Sequence, residues 1–106
     1  MNIDDIHLHD AVENQDVELV SQLIQHGDDI HAKDIDGETP LHYAAKQNSE
    51  NAVAMARLLL NAGADIHDQD GHGMTPFMIA AASSHVEMLR FLLSRCLLYT
   101  SDAADD

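Results

Sequence analysis

The feature that most constrains the fold of this chain is an internal repeat. The segment 34–45, DIDGETPLHYAA, returns 36 positions later as the segment 70–81, DGHGMTPFMIAA. The pair Leu8-His9 precedes its equivalent in segment 34–45 by 33 positions. A chain that repeats at this period builds a stack of similar units, and each unit packs mainly on its neighbours.

Each unit reads as a polar loop followed by two helices. Thr39 is a good N-cap, and Pro40 stands at the first helical position, where its missing N–H costs nothing. Thr75 and Pro76 predict the same helix start one unit later. Gly63 supplies the left-handed residue that ends the second helix of the middle unit.

The period, the Thr-Pro pair, His42 and the Ala-Ala pair together resemble the ankyrin repeat, a β-turn plus two antiparallel helices in about 33 residues. The resemblance covers roughly 90 residues. It implies an all-α solenoid of helix-turn-helix units joined by β-hairpin loops. We expect an ankyrin-repeat domain over 1–95, with repeats at about 1–33, 34–69 and 70–95. The first repeat is polar, as an N-terminal capping repeat requires, and the third is incomplete.

The copies differ in two informative ways. Three extra residues lie between Lys46 and Met55, and they lengthen either the start of the second helix or the inter-helix loop. We expect the longer loop, because Gln47, Asn48 and Ser49 are poor helix formers. In the third copy Met78 replaces the histidine of the Thr-Pro turn. The loss of that hydrogen bond predicts a third repeat less stable than the second.

The segment 96–106 departs from the repeat pattern, since Cys96 stands where a helix-ending glycine is expected. It resembles the in-frame translation of a transposon-end sequencing adapter, which predicts a non-native or disordered tail and a genuine protein that continues beyond Arg95. A natural, diverged tail is the alternative. In both cases the third repeat lacks a C-terminal cap, which predicts an exposed apolar flank and a marginally stable or aggregating chain. That flank comprises Met88, Leu89, Phe91, Leu92 and Leu93.

The acidic composition limits the classes of molecule that the chain is expected to bind. Five Lys and Arg against nineteen Asp and Glu give a formal charge of -14, which disfavours nucleic acid and anionic membranes. No stretch approaches the ~20 apolar residues of a membrane span, so no membrane insertion is expected. One cysteine cannot form an internal disulfide, which favours an intracellular, cytoplasmic location. A secreted effector is the alternative.

Eight histidines raise the question of a metal site. His7 and His9 form a pair, and His67, Asp68, Asp70 and His72 cluster on one loop, but zinc needs three or four converging ligands. The ankyrin resemblance accounts for His31, His42, His67 and His85 as repeat positions. We therefore predict no metal and no cofactor. Because phosphate loops and nucleophile motifs are also missing, we predict that these residues are not an enzyme.

Recognition of another protein is the function that the resemblance implies. In ankyrin proteins the hairpin tips and the outward face of the first helix form a concave binding surface. Transferred to this sequence, that surface comprises Lys33, Ile35, Asp36, Glu38, Lys46, Gln47, Gln69, Gly71, His72, Met74, Ala82 and Ser83. Ile35 and Met74 are the apolar contact candidates. We expect a scaffold or adaptor that is monomeric if capped; the alternative is the targeting module of a larger ankyrin-containing enzyme such as a bacterial effector.

Overall fold

The computed structural model describes residues 7–47 and 49–104, with side chains described as far as Arg95. Within these ranges the chain forms six helices and no β-strand. The helices are α1 (Leu8–Glu13), α2 (Val17–His26), α3 (Pro40–Lys46), α4 (Glu50–Asn61), α5 (Pro76–Ala82) and α6 (Val86–Ala104).

The helices form three antiparallel pairs stacked in two layers. Helices α1, α3 and α5 pack on one another in sequence order as one layer, and α2, α4 and α6 do the same as the other. Each pair is a repeat, and the loop that leads to the next repeat starts after the second helix. This arrangement confirms the solenoid that the repeat pattern predicts.

The core between the layers is aliphatic. Leu41, Met55, Leu59 and Leu92 are among its large side chains and are fully buried. Ala44 and Ala45 are also fully buried, and their small side chains let neighbouring helices approach closely. Close approach of the helices allows aliphatic side chains to fill the core of a chain that has no tryptophan.

The predicted helix starts are confirmed. Thr39 and Thr75 cap α3 and α5, accepting hydrogen bonds from the N–H groups of His42 and Met78. Pro40 and Pro76 are the first residues of these helices. Gly63 has a φ of 114° just after α4, in the left-handed region that glycine adopts without a steric penalty.

The predicted longer loop in the second repeat is wrong. Three residues separate the helices in every repeat, and α4 instead begins at Glu50 and is two residues longer than α2. Ala52 is fully buried in the added turn, and Glu50 places a carboxylate near the positive end of the helix. Burial and this charge outweigh the weak helix propensity of the sequence; Asn48 lies outside the described residues.

The third repeat exposes only part of the flank predicted from its sequence. Met88 and Leu92 are fully buried, Leu89 and Phe91 are half-buried, and Leu93 is exposed. Val86 is exposed as well. Helix α6 runs past Cys96 to Ala104, so the backbone there is helical where the sequence predicts a disordered or non-native tail. Whether those residues are native stays a prediction.

None of the helices in the described ranges is long and apolar enough to cross a membrane.

Candidate protein-binding surface

The loops between repeats are held in shape by an aspartate at the start of each turn. Asp34 Oδ1 accepts hydrogen bonds from the N–H groups of Asp36 and Glu38, both at 2.9 Å. The Asp34 N–H in turn donates to the Glu38 carbonyl at 3.0 Å. These bonds close a tight turn with Ile35, Asp36 and Gly37 at its tip.

The second loop repeats this construction. Asp70 Oδ1 accepts from the N–H groups of His72 (2.8 Å) and Met74 (2.9 Å). The Asp70 N–H donates to the Met74 carbonyl at 2.9 Å. Within the described residues the predicted β-hairpins are thus turns closed by side-chain and backbone bonds, without paired strands.

Hydrogen bonds to the two aspartates favour their ionised forms. The Asp70 pKa is lowered, chiefly by the backbone hydrogen bond from Met74. Burial raises the pKa of Asp34, but the hydrogen bond from the Tyr43 hydroxyl and the backbone bonds outweigh it, so the net pKa is lowered. Tyr43 O–H donates to Asp34 Oδ2 at 2.5 Å, and this bond raises the tyrosine pKa. The turns therefore stay charged and closed at neutral pH.

Neighbouring turn tips touch each other through their backbones. The Gly71 N–H donates to the Asp36 carbonyl at 2.8 Å. A Cβ atom added at Gly71 would lie 2.7 Å from that carbonyl oxygen, and one at Gly37 would lie 2.7 Å from the Gly71 nitrogen. Only glycines permit this approach, so the two tips form one continuous surface.

Histidines fasten each repeat to the next. His42 Nδ1 accepts from the Thr39 N–H, and its Nε2 lies 2.8 Å from the Met74 carbonyl of the following loop. His9 lies in the same way 2.8 Å from the Glu38 carbonyl. His42 is fully buried, and Met78 makes no equivalent bond among the described residues. The third repeat therefore lacks the side-chain hydrogen bond of His42, as the sequence predicts.

Most of the residues predicted to bind a partner are exposed, those of the turns at the tips and Lys46, Ala82 and Ser83 at the far ends of α3 and α5. Ile35 is 98% exposed at the tip of the turn that the Asp34 side chain closes. The other exposed members are Lys33, Asp36, Lys46, Gln69, Gly71, His72, Ala82 and Ser83.

Three residues of the predicted set lie elsewhere or are occupied by internal contacts. Glu38 is 7% exposed, and its carboxylate accepts from Lys46 Nζ at 2.5 Å. Met74 is half-buried against the core, because its side chain faces the helices rather than the tip. Gln47 is half-buried and accepts a bond from Gln15. Glu38 and Met74 therefore support the surface from beneath.

A cleft next to the first tip was not predicted from the sequence. It has a volume of about 470 Å³ and lies between the start of α1, the loop after α2 and the ring of Tyr43. Its lining includes His7, His9, Asp10, Asp28, Asp29, Ala32, Lys33, Asp34 and Tyr43. Four carboxylates and one lysine give the cleft a negative potential that attracts cations. Because its residues come from two repeats, no single sequence motif identifies it.

The carboxylates of Asp34, Asp36 and Glu38 lie within 4.8 Å of one another, the one such group that the described residues bring together. Asp34 and Glu38 already accept hydrogen bonds from Tyr43 and Lys46, which leaves few free oxygen atoms for a metal. The histidine and aspartate cluster at 67–72 considered from the sequence does not converge in this way.

Comparison with known proteins agrees with the architecture. A family model for ankyrin repeats, in three copies, matches residues 8–102. The chain therefore belongs to the ankyrin-repeat family, whose repeats are generally modules for protein–protein interaction. Over 50 residues, or 47% of its length, it is 36% identical to a protein of Fowlpox virus (strain NVSL) that is named as an ankyrin repeat protein. The match spans 36% of that viral protein, about a third of its length.

Proposed function

We propose that this chain is a non-enzymatic module that binds a partner protein through the surface formed by its turn tips and the first helix of each repeat. The observation that carries the proposal is Ile35, 98% exposed at the tip of a turn that Asp34 holds closed. A turn whose backbone is already closed by hydrogen bonds loses little conformational entropy when it meets a partner. An apolar residue held in this way is suited to act as a binding anchor.

Charge complementarity indicates the kind of partner. The tip carries Asp36 beside Ile35, and the neighbouring cleft contributes Asp10, Asp28 and Asp29. A partner surface that pairs an apolar pocket with Lys or Arg side chains fits this arrangement. Such charges speed the encounter and select the partner more than they add to the affinity.

The test is capture of partners by immobilised protein, with two matched variants. Ile35→Asp removes the apolar tip, whereas Leu93→Asp makes the same change at an exposed position on helix α6 of the other layer. We expect partners captured by the wild-type chain to be lost with Ile35→Asp and kept with Leu93→Asp. Circular dichroism checks that both variants are folded.

Two results would count against the proposal. One is equal capture of the same proteins by a folded Ile35→Asp variant. The other is capture of nothing above background by the wild-type chain.

A further inference from the structure

A second cleft lies at the opposite ends of the helices from the turn tips. It has a volume of about 380 Å³ and lies between the inter-helix loops of the second and third repeats. Its lining comprises Ser49, Glu50, Ser84, His85, Val86 and Glu87. Because the first helix of each repeat carries the chain away from the tips, this cleft is separate from the surface described above.

Two buried polar groups of the cleft have no hydrogen-bond partner among the residues that the structure describes. They are Nε2 of His85, a residue that is 4% exposed, and the buried Ser49 Oγ. The two residues stand 36 positions apart, at equivalent points before α6 and α4. Buried polar groups are almost always hydrogen-bonded, so a pair of unpaired ones in a cleft indicates a missing partner.

The protonation of His85 defines what that partner must offer. The Met88 N–H donates to His85 Nδ1 at 3.4 Å, so Nδ1 is an acceptor and the neutral ring carries its proton on Nε2. Nε2 is therefore a donor in need of an acceptor. The Ser49 hydroxyl makes no capping bond to α4 and, within the described part of the chain, can donate as well.

The helix ends and the acidic residues complete the pattern. Helices α4 and α6 both start at the cleft, where first-turn N–H groups carry partial positive charge. Glu50 and Glu87 are exposed residues of the lining. Donors in the interior select an acceptor oxygen, while the carboxylates repel an anion and accept from N–H groups.

We propose that this cleft binds a primary carboxamide, such as the side chain of an Asn or Gln residue in a partner polypeptide. The carboxamide oxygen accepts from His85 Nε2–H and the Ser49 hydroxyl, and its NH₂ group donates to Glu50 or Glu87. The proposal goes beyond the turn-tip surface, and its test requires no partner protein.

The experiment is an NMR titration of the full chain with acetamide, N-methylacetamide and acetate, which represent a side-chain amide, a backbone amide and an anion. For a ligand as small as acetamide we expect a Kd of about 1–50 mM. The ring nitrogens of His85 and the backbone amides of Glu50 and Glu87 should shift saturably. His42 is the internal control, because it is buried but its Nε2 already lies 2.8 Å from the Met74 carbonyl.

Variants locate the contact. His85→Asn keeps a side-chain oxygen that can accept from the Met88 N–H but removes the Nε2 donor, and it should weaken acetamide binding at least ten-fold. Ser49→Ala, which leaves the histidine in place, should weaken it several-fold. His72→Ala at the exposed turn tip should leave it unchanged.

Four results would overturn the proposal. His85 shifting no more than His42 would mean that water alone satisfies the buried groups. Equal or stronger binding of acetate would make the cleft an anion site, and stronger binding of N-methylacetamide would assign it to backbone amides. Unchanged binding by folded Ser49→Ala would contradict the contact even if His85→Asn failed to fold.

Discussion

At the scale of single residues, a hydrogen bond from Tyr43 to Asp34 links helix α3 to the turn at residues 34–38. Tyr43→Phe removes the hydroxyl but keeps the ring, whose edge-to-face contact with His9 has a centroid distance of 4.9 Å. Because a hydrogen bond to a charged group contributes more than a neutral one, we expect the free energy of unfolding to fall by about 1–2 kcal/mol at pH 7. Urea unfolding measures this change.

The pH dependence of the Tyr43→Phe variant follows from the direction of the Asp34 pKa shift. The pKa of folded Asp34 lies below the reference value of 3.8, so its stabilisation is present above that value and is lost as the pH falls through the folded pKa. The difference between wild type and variant should therefore shrink from pH 7 to pH 3. NMR titration should show the Asp34 pKa rising in Tyr43→Phe, with Asp70 as the control because no tyrosine contributes to its shift. An unchanged Asp34 pKa would contradict this account.

Residue by residue, the sequence predicts turn position better than side-chain direction. Ile35 and Met74 both belong to the predicted surface, but Ile35 points into solvent and Met74 packs on the core. Glu38 is acidic and lies in a turn, yet it is buried beside Lys46. Such differences depend on contacts between repeats, which the pattern of one repeat does not contain.

At the scale of helices, a histidine near the start of the first helix of a repeat forms the hydrogen bond that joins this repeat to the next. His42→Met gives the second repeat the residue that the third has naturally, and it leaves the Thr39 N–H and the Met74 carbonyl without their histidine partner. The two lost bonds predict a decrease of about 2–4 kcal/mol in the free energy of unfolding. Met78→His should restore the hydrogen bond within the turn and raise stability by about 0.5–1 kcal/mol.

In urea unfolding we expect the free energy of unfolding to fall in His42→Met and to rise in Met78→His. The pair controls for the general effect of exchanging His and Met. A loss below about 1 kcal/mol for His42→Met would mean that the histidine contributes little beyond helix capping.

Helix positions could be predicted from sequence because caps and prolines are local signals. Thr39-Pro40 and Thr75-Pro76 determine where α3 and α5 begin whatever surrounds them. The start of α4 could not be predicted, because Ser49 makes no side-chain cap and the helix gains its added turn by burying Ala52 against other elements. Propensity fails at this position since tertiary packing outweighs it.

At the scale of the whole molecule, the repeat explains the stack, while the clefts arise only from the stacking. Each cleft is lined by residues of two repeats. The cleft beside the first turn tip lies between the first and second repeats, and the other lies between the second and third. Alignment of the repeats shows which residues are equivalent, but it does not show where clefts remain between stacked repeats. The carboxylates around Tyr43 and the unpaired His85 were accordingly not recognisable from the sequence.

The third repeat is where the whole chain should self-associate. Of the four large apolar side chains that are exposed among the described residues, Met78, Val86 and Leu93 belong to this repeat, and Val86 and Leu93 lie seven residues apart on one side of α6. The formal charge of -14 opposes contact between copies at low salt. Salt should weaken this repulsion, because the Debye length falls from about 10 Å at 0.1 M to about 3 Å at 1 M.

We therefore expect the sedimentation coefficient of the wild-type chain to rise with protein concentration, and more steeply as sodium chloride increases. Leu93→Asp should reduce this rise, because it places a charge on the exposed apolar side of α6. Ile35→Asp adds the same charge at the first turn tip and serves as the matched control, which should associate like the wild type. If Ile35→Asp abolished the association and Leu93→Asp left it intact, the copies would be meeting through their turn tips instead of α6.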